Sequence, residues 1–454
     1  MMRVDELAER IPDSSVIGDG SVVWMSVSTD TRTLEPGALY FALRGERFDG
    51  HDFIANAIAA GAAAIVTDHP VQVEVPALCV KDTRLALGTA AAVWRERFHL
   101  PLIAVTGSNG KTTVTQMIAA ILAAAFGDDG RLATRGNLNN DIGVPLMLFR
   151  LNERQQAAVL ELGMNHPGEI RYLARIARPT ATLVNNAQRE HQEFMDGIEA
   201  TAHENGEAIE ALPADGVAVF PADDACAPIW RKLAGSRRVI DFALTGPAAV
   251  TAHVRAVDGG TDLAVSTPVG DFELALPLTG THNLHNALGA VAASLAIGVE
   301  FSAIRAGLES FQPVAGRGVE HRTPAGVTII DDTYNANPDS VRAAIDLLVQ
   351  RPSPRVLILG DMGEVGADGP EFHREVGRYA RTQGVDTLLS FGELCSEAIA
   401  AFNADRPAPG RHFESIEALI EAARAVSASE ATLLAKGSRF MRMERVIKAL
   451  LNPD

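Results

Sequence analysis

Residues 104–113, which read Ala-Val-Thr-Gly-Ser-Asn-Gly-Lys-Thr-Thr, constrain the fold of this chain more than any other stretch. An apolar run at 101–105 predicts a buried strand before the two glycines, and apolar residues at helical spacing over 114–122 predict a helix after them. Glycines let backbone N–H groups approach an anion, and the positive end of a helix dipole favours phosphate. Because Lys111 adds a cation, the stretch predicts a phosphate-binding turn in an α/β fold.

This turn is shorter than a full Walker motif, because Val105 stands where that motif has its first glycine. A glycine-rich turn that only caps a helix is the alternative interpretation, but the flanking strand and helix favour the phosphate site. The hydroxyl of Thr112 is in the position that binds Mg²⁺ in such loops. The predicted nucleotide-binding residues of the turn are Thr106, Gly107, Ser108, Asn109, Gly110, Lys111, Thr112 and Thr113.

Length, charge and cysteine content narrow the class of protein. A chain of 454 residues is too long for one hydrophobic core, and about three domains are expected. The net charge of −17 argues against a nucleic-acid partner, since neutralising phosphates requires an excess of Lys and Arg. The three cysteines lack metal-binding spacing, and we find no apolar leader or membrane-length apolar segment. We therefore expect a soluble, cytoplasmic chain with reduced thiols and no membrane span.

Short apolar strands alternate with helical patterns and predict an α/β protein of three domains. Residues 1–98 predict a small α/β domain, residues 99–312 a central domain with a mostly parallel sheet, and residues 313–454 a doubly wound, Rossmann-like domain of four parallel strands. Within the central domain, the runs at 216–220 and 261–276 are interpreted as antiparallel hairpins.

Polar residues follow several predicted strands, where α/β layers bind ligands. Glu161 ends an apolar strand, and its two interpretations are an ion pair with a neighbouring arginine or a magnesium ligand beside the phosphate loop; the second is favoured. His191 follows the next strand, but a lone histidine is usually a surface or satisfied core residue. The Asp49-Gly50-His51 segment is either a turn between packed elements or a ligand site.

These parts together indicate nucleotide chemistry on a substrate held between domains. The third domain lacks a GxGxxG pattern after its first strand, which argues against a nicotinamide cofactor. Two classes remain, an ATP-dependent ligase or kinase and a nucleotide-gated switch. Because two further domains carry polar strand ends, the residues favour a phosphoryl-transfer enzyme and leave the acceptor open.

Seven motifs in one order along nearly the whole chain resemble those of the Mur ligase family. They are residues 106–113 (Thr-Gly-Ser-Asn-Gly-Lys-Thr-Thr), 136–143 (Gly-Asn-Leu-Asn-Asn-Asp-Ile-Gly), 161–165 (Glu-Leu-Gly-Met-Asn), 283–286 (Asn-Leu-His-Asn), 331–338 (Asp-Asp-Thr-Tyr-Asn-Ala-Asn-Pro), 359–362 (Leu-Gly-Asp-Met) and 436–438 (Lys-Gly-Ser). The second and fifth resemble the branch of the family that adds D-alanyl-D-alanine. The Asp-Asn-Pro-Arg-type motif expected of the diaminopimelate- or lysine-adding branch is absent from the sequence.

The resemblance implies an ATP- and Mg²⁺-dependent ligase of cytoplasmic peptidoglycan precursor synthesis, and we expect it to act as a monomer. In such an enzyme, ATP phosphorylates the terminal carboxylate of UDP-N-acetylmuramoyl-tripeptide. The amine of D-alanyl-D-alanine then attacks the acyl phosphate and displaces phosphate. An acyl phosphate is needed because a carboxylate is a poor electrophile toward an amine.

The resemblance also implies a role for individual residues. Lys111, Glu161 and His191 are expected to be catalytic, and Thr112, Glu161 and His191 to bind the metal. Outside the phosphate loop, the residues implied to bind ATP are Asn283, Arg317 and Asp332. The residues implied to bind the UDP end are Asp30, Thr31, Arg32, Gly45, Asp49 and His51, and those implied around the remaining substrates are Asn137, Asn139, Asn335, Asn337, Asp361, Glu364 and Lys436.

One position departs from the family pattern. Family members usually carry a carbamylated lysine in the helix after the His191 segment, and Asn205 stands at that place here. No lysine lies between Lys111 and Lys232, so a shift in alignment does not restore it. We expect Glu204 or Glu207 to supply the missing carboxylate, or Asn205 to hold a second metal through its carbonyl and water. Activity is therefore expected not to depend on added bicarbonate.

Two alternatives stand beside this interpretation. A folylpolyglutamate synthase shares the loop and the ligase chemistry, but its substrate does not call for the Asp49-Gly50-His51 domain. A non-catalytic nucleotide-binding regulator is the other alternative, and it predicts no amine-dependent release of phosphate.

Overall fold

A computed structural model describes residues 2–45, 48–190, 192–257, 260–323, 326–404, 410–427 and 430–452. Within these residues the chain forms three successive α/β units, each with its own main sheet. The α/β class and the three-unit organisation predicted from the sequence are confirmed. None of the helices in the described ranges is long and apolar enough to cross a membrane.

The first unit is a small mixed sheet with three helices. Its elements are β1 (Met2–Arg3), α1 (Val4–Ala8), β2 (Ser15–Ile17), β3 (Val23–Trp24), β4 (Ser26–Ser28), β5 (Ala38–Phe41), α2 (Ile54–Ala59), β6 (Ala64–Thr67), β7 (Ala77–Cys79) and α3 (Thr83–Arg95). The described sheet has the order β2-β7-β6-β5-β4, in which β4 to β7 run parallel and β2 is antiparallel to β7. The carboxyl ends of β4, β5 and β6 therefore share one edge, which is where ligands bind in such sheets.

The central unit contains the phosphate loop in the middle of its sheet. Its elements are β8 (Leu102–Thr106), α4 (Lys111–Phe126), β9 (Arg131–Ala133), α5 (Gly143–Leu148), β10 (Ala157–Glu161), α6 (Glu169–Ala177), β11 (Ala181–Val184), α7 (Gly197–Glu210), β12 (Val217–Pro221), α8 (Ala227–Ala234), β13 (Arg238–Ala243), β14 (Val250–Val257), β15 (Gly260–Thr267), β16 (Gly270–Leu276), α9 (Thr281–Ala296) and α10 (Phe301–Glu309). The described strands have the order β16-β15-β14-β13-β12-β11-β8-β10-β9. Strand β8 is thus flanked by β11 and β10, whose carboxyl ends adjoin the loop.

One of the two hairpin predictions in this unit is wrong. Strands β15 and β16 pair antiparallel as expected for residues 261–276, but β12 pairs parallel with both β11 and β13. The reason is that helices α7 and α8 connect β12 to its neighbours, and a crossover connection of this kind joins parallel strands. Five buried residues, Val-Ala-Val-Phe-Pro, suit a strand covered on both faces.

The C-terminal unit is the predicted doubly wound sheet, with additional strands at its edges. Its elements are β17 (Val319–Arg322), β18 (Thr328–Asp332), α11 (Pro338–Val349), β19 (Arg355–Gly360), α12 (Gly369–Thr382), β20 (Thr387–Phe391), α13 (Cys395–Phe402), β21 (Arg411–Phe413), α14 (Ile416–Val426), β22 (Thr432–Lys436) and α15 (Glu444–Leu451). The described order is β17-β18-β22-β19-β20-β21, and only β17 among these strands is antiparallel to its neighbour.

The first and central units share a hydrophobic core. Trp24 is fully buried and meets the ring of Phe149 edge-on, with 6.0 Å between ring centroids. Gly88 of α3 lies so close to α6 that a Cβ atom would collide with the Tyr172 hydroxyl. The C-terminal unit instead has its own clusters on the two faces of its sheet. These two packing patterns indicate that the first two units form one block, against which the third is docked.

Candidate active site

A cavity of about 1140 Å³ lies between the central and C-terminal units. Its wall brings together most of the residues that the sequence singled out far apart along the chain. Those predicted residues that line it are Ser108, Asn109, Gly110, Lys111, Thr112, Thr113, Asn137, Asn139, Glu161, Asn283, Arg317, Asp332, Asn335, Asn337, Glu364 and Lys436. His191, predicted to bind metal, lies outside the described residues.

The phosphate loop joins the end of β8 to the start of α4, as the apolar pattern predicts. Gly110 has φ +78° at the N-cap of α4, and a Cβ atom there would collide with the side chain of Asn286. Gly107 has φ +127°, and a Cβ atom there would lie 3.0 Å from the backbone N of Asn185. Both positions therefore require glycine, on conformational and on steric grounds.

Lys111 points back over the loop from the first turn of α4. Its Nζ donates to the carbonyl oxygens of Gly107 at 2.6 Å and Ser108 at 3.1 Å. It also donates to Oε1 of Glu190 at 2.8 Å, and the two side chains are only 14% and 10% exposed. The cation is thus held at the loop by a carboxylate that the sequence analysis did not single out.

A polar segment after β11 supports the loop from the side. Asn186 accepts a hydrogen bond from the backbone N–H of Asn109 at 2.8 Å and donates to its carbonyl oxygen at 3.0 Å. The backbone N–H of Gln188 donates to the hydroxyl of Ser108 at 2.9 Å. Sequence reasoning missed these supports, although an amide-rich run directly after a buried strand was a signal for them. They fix the shape of the loop independently of a ligand.

Glu161 reaches the cavity from the carboxyl end of β10. It is 3% exposed, and its Oε1 accepts a hydrogen bond from Asn139 Nδ2 at 2.8 Å. Within the described residues, its Oε2 is buried without a hydrogen-bond partner. Nearby on the same wall, the hydroxyl of Thr112 accepts from Nη2 of Arg317 at 2.8 Å. A buried anionic oxygen without a donor is suited to a cation.

Asn205 lies behind the loop and not on the cavity wall. It is 1% exposed, and its Oδ1 accepts hydrogen bonds from the Thr106 hydroxyl and, at 2.9 Å, from the Gly107 N–H. Thr106 is likewise buried at this contact. The expectation that Asn205 holds a metal through its carbonyl is not supported, because that oxygen already binds the loop.

The two acidic neighbours of Asn205 are also engaged elsewhere. Glu204 accepts from the N–H groups of Gly168 at 2.9 Å and Ile170 at 3.0 Å, where its charge favours the start of α6. Glu207 forms an ion pair with Arg171 of α6. Neither lines the cavity, so the structure does not support the expectation that one of them replaces a lysine-borne carboxylate there.

The C-terminal wall is formed by the ends of β18 and β22 and the start of α11. Nζ of Lys436, a residue that is 4% exposed, donates to Asp332 Oδ2 at 2.6 Å and to the Asn335 carbonyl oxygen at 3.0 Å. Asn337 caps α11 and donates from Nδ2 to Oδ1 of Asn109 at 2.9 Å. An amide of the C-terminal unit therefore contacts the phosphate loop directly.

Asp361 is the exception among the predicted residues of this unit. Its carboxylate accepts from the N–H groups of Cys395 at 2.8 Å and Leu394 at 3.2 Å, which begin α13. It does not line the cavity. The prediction that Asp361 contacts substrate is therefore not supported, because its oxygens cap a helix.

The residues implied to bind the UDP end form a separate polar cluster at the carboxyl ends of β4, β5 and β6, away from the main cavity. Its predicted members are Asp30, Thr31, Arg32, Gly45, Asp49 and His51. Asp49 Oδ1 lies 2.6 Å from His51 Nδ1, and Arg44 bridges Asp49 and Asp68 with its Nε 2.7 Å from Asp68 Oδ2. Sequence reasoning missed Arg44 and Asp68.

Paired charges set the protonation of this cluster. Hydrogen bonds from Arg32 lower the pKa of Asp30 to about 2. A hydrogen bond from Arg44 holds the pKa of Asp68 well below its usual range. These carboxylates are therefore ionised at neutral pH, and the cluster presents both cations and anions to a polar ligand.

The fold and site together define a class of protein: a nucleotide-binding enzyme of three α/β units, with its loop facing the strand ends of a second domain. The chain belongs to the Mur ligase family. Family models match residues 25–120 (Mur ligase family, catalytic domain), 105–294 (Mur ligase middle domain) and 316–439 (Mur ligase, glutamate ligase domain).

Individual relatives cover almost the whole chain. The UDP-N-acetylmuramoyl-tripeptide--D-alanyl-D-alanine ligase of Escherichia coli (strain K12) is 41% identical over 94% of this chain and 93% of its own length. A MurF crystal structure from Acinetobacter baumannii matches with a TM-score of 0.90 and 34% identity, covering 99% of this chain and 98% of that one. MurF ligase from Thermotoga maritima in complex with ADP matches with a TM-score of 0.82 and 25% identity, covering 94% and 97%.

Proposed function

We propose that this chain is an ATP-dependent ligase that joins D-alanyl-D-alanine to UDP-N-acetylmuramoyl-tripeptide in cytoplasmic peptidoglycan precursor synthesis. The observation that carries the proposal is the shared cavity in which the phosphate loop and Glu161 face Lys436 and Asp332. The relative from Escherichia coli is named for this reaction, which supports the choice of substrates.

The chemistry follows from what the two walls present. An oxygen of the tripeptide carboxylate attacks the γ-phosphorus of ATP, the bond to the β,γ-bridging oxygen breaks, and ADP leaves with an acyl phosphate formed. The amine of D-alanyl-D-alanine attacks the acyl carbon, loses a proton, and displaces inorganic phosphate as the amide forms. The loop N–H groups and Lys111 stabilise the charge on the transferred phosphoryl group. Lys436 lies on the opposite wall. Its cation stabilises the negative charge of the substrate carboxylate and of the acyl phosphate.

Magnesium is part of the proposal, and the residues present fit it. Glu161 contributes its buried Oε2, which has no hydrogen-bond donor among the residues that the structure describes, and Thr112 contributes a hydroxyl on the same wall. Bound Mg²⁺ would neutralise phosphate charge there. His191, the third predicted metal ligand, lies outside the described residues.

The polar cluster of the first unit is proposed to bind the UDP end of the substrate. Arg84 connects this cluster to the main cavity, which it lines. It donates to the Arg44 carbonyl oxygen at 3.3 Å and pairs with Asp141 at 3.1 Å. A long substrate can therefore lie with its nucleotide at the strand ends of the first unit and its peptide in the cavity. A monomer contains all these parts, and a monomer remains our prediction.

Phosphate release measures the proposed reaction directly. The purified chain is assayed with ATP, Mg²⁺ and UDP-N-acetylmuramoyl-tripeptide, once with a lysine and once with a diaminopimelate third residue. Each is combined with D-alanyl-D-alanine, D-alanine or single L-amino acids. We expect release with D-alanyl-D-alanine and a UDP-pentapeptide by mass spectrometry. Release only with a free amino acid would overturn the assignment, and release without an amine would favour a regulator.

A further inference from the structure

Arg189 makes a dense polar contact between the central and C-terminal units. Its backbone N–H, Nε and Nη2 all donate to the carboxylate of Asp339 in α11, at 2.9, 3.1 and 2.6 Å. Its Nη1 and Nη2 donate to Glu375 of α12 at 2.6 and 3.0 Å. The guanidinium also lies 5.3 Å from the centre of the Phe372 ring. We call Arg189, Asp339 and Glu375 the Arg189 clamp.

The clamp differs from an exposed surface ion pair. The side chains of Arg189, Asp339 and Glu375 are 18%, 22% and 28% exposed, and the guanidinium binds both carboxylates through parallel N–H groups. Burial opposes ionisation of Asp339, but the hydrogen bonds and charge of Arg189 outweigh it and lower the pKa of that carboxyl. All three groups are therefore charged at neutral pH and shielded from solvent, so the contact is stronger than a typical surface pair.

Arg189 belongs to the same short segment that supports the phosphate loop. Its neighbour Gln188 accepts a hydrogen bond from the side chain of Asn109 at 2.5 Å, and its other neighbour, Glu190, pairs with Lys111. The segment thus holds the loop on one side and the C-terminal unit on the other. Asn337, two residues before Asp339, contacts Asn109 across the same interface.

We propose that Arg189 is a positioning residue for domain closure: the clamp holds the C-terminal unit against the phosphate loop so that both walls of the cavity face each other. The first two units share a core, whereas polar contacts such as this one dock the third. Without the clamp the docked state is less populated. Turnover falls with that population. Nucleotide binding weakens less, because the phosphate loop belongs to the central unit and only Arg317 and Asp332 of the predicted ATP-binding residues move with the C-terminal unit. The role of Arg189 depends on the proposed function only where kcat is measured.

The variants to compare are Arg189→Ala, Arg189→Lys and Arg342→Ala in the full chain. Arg342 is the matched control, because it pairs with the same Glu375 at 3.0 Å from within the C-terminal unit. We expect Arg189→Ala to lower kcat by about 10- to 100-fold while the Kd for ADP weakens by a clearly smaller factor. Arg189→Lys should restore part of the loss, since it keeps the charge without the planar fork. Arg342→Ala should change neither quantity.

Small-angle X-ray scattering in the presence of ADP tests closure without ligase substrates. The radius of gyration should be larger for Arg189→Ala than for the unchanged chain and for Arg342→Ala. Three outcomes would overturn the proposal: unchanged kcat and scattering, an equal loss in Arg342→Ala, or a Kd for ADP that weakens as much as kcat falls. If Arg189→Ala does not fold, Asp339→Asn combined with Glu375→Gln replaces it, with the same expectations. If the unchanged chain lacks ligase activity, only the proposed function is refuted. The radius of gyration still measures the effect of the clamp, because it does not depend on ligase activity.

Discussion

Nζ of Lys111 lies 2.8 Å from Oε1 of Glu190, next to the phosphate loop and largely shielded from solvent. The ammonium group also donates to two carbonyl oxygens of the loop itself. The position of the ammonium group is therefore set by contacts within the protein. A preorganised cation of this kind contributes to the reaction without reorganising at the moment of transfer.

Lys111→Ala removes that cation and should abolish turnover. We expect kcat to fall by at least about 10²- to 10³-fold, the size of the effect when one preorganised charge-stabilising group is removed. Initial rates of phosphate release measure the loss, with thermal unfolding as the check on folding. Lys232→Ala, at an exposed lysine in the last turn of α8, is the control and should be fully active. Turnover in Lys111→Ala close to that of the control would refute the role of the loop.

Asn205 leads to a prediction about carbon dioxide. An amide cannot form the carbamate that a lysine forms at this place in the family, and its Oδ1 is bound to Gly107 N–H and the Thr106 hydroxyl. Ligase rates in carbonate-free buffer should therefore be unchanged when bicarbonate is added. A clear stimulation by bicarbonate would contradict the expectation.

Asn205→Ala, which leaves two buried donors unpaired, should cost about 1–3 kcal/mol of unfolding free energy for each donor, measured by denaturant unfolding.

The sequence was sufficient to identify those cavity residues that stand at the carboxyl ends of strands. Parallel strands in one sheet end at the same edge, so Glu161 at the end of β10 was recognisable from an apolar run that ends on one charged residue. Lys436 ends β22 in the same way, and the family resemblance implied its role. The two glycines of the loop were recognisable because a strand precedes them and a helix follows. In each case a local pattern and a general rule of α/β topology determine the position.

Other features depend on contacts that no local pattern encodes. Arg44 and Asp68 meet across two strands although 24 residues separate them, and Arg189 contacts Asp339 across 150 residues. Asp361 has the sequence signature of a site residue, yet its oxygens cap α13. A carboxylate at a strand end can serve a ligand or a helix N-terminus equally well, and only the tertiary packing decides between them.

The cysteines should differ in reactivity. Burial raises the pKa of Cys226 to about 11 and that of Cys395 well above its ordinary value. Since the thiolate is the nucleophile, both thiols stay neutral at pH 7.5, and reactivity appears only as pH rises toward those values. Cys79 is half-buried. Iodoacetamide at pH 7.5, followed by mass spectrometry, should modify Cys79 first, and all three cysteines only after denaturation. Early labelling of Cys395 would contradict its burial.

The variant Trp24→Ala tests whether the first two units unfold as one block. Trp24 is fully buried and packs against Phe149 of the central unit, so Trp24→Ala should cost about 3–5 kcal/mol of unfolding free energy. Because the core is shared, calorimetry should show this loss in the transition that ADP shifts to higher temperature through its binding to the loop. Phe402→Ala, a comparable deletion in the core of the C-terminal unit, should weaken a different transition. If Trp24→Ala instead lowers a transition that ADP does not shift, the first unit unfolds independently. Closure would then involve movement at two junctions, and the Arg189 clamp would control only one of them.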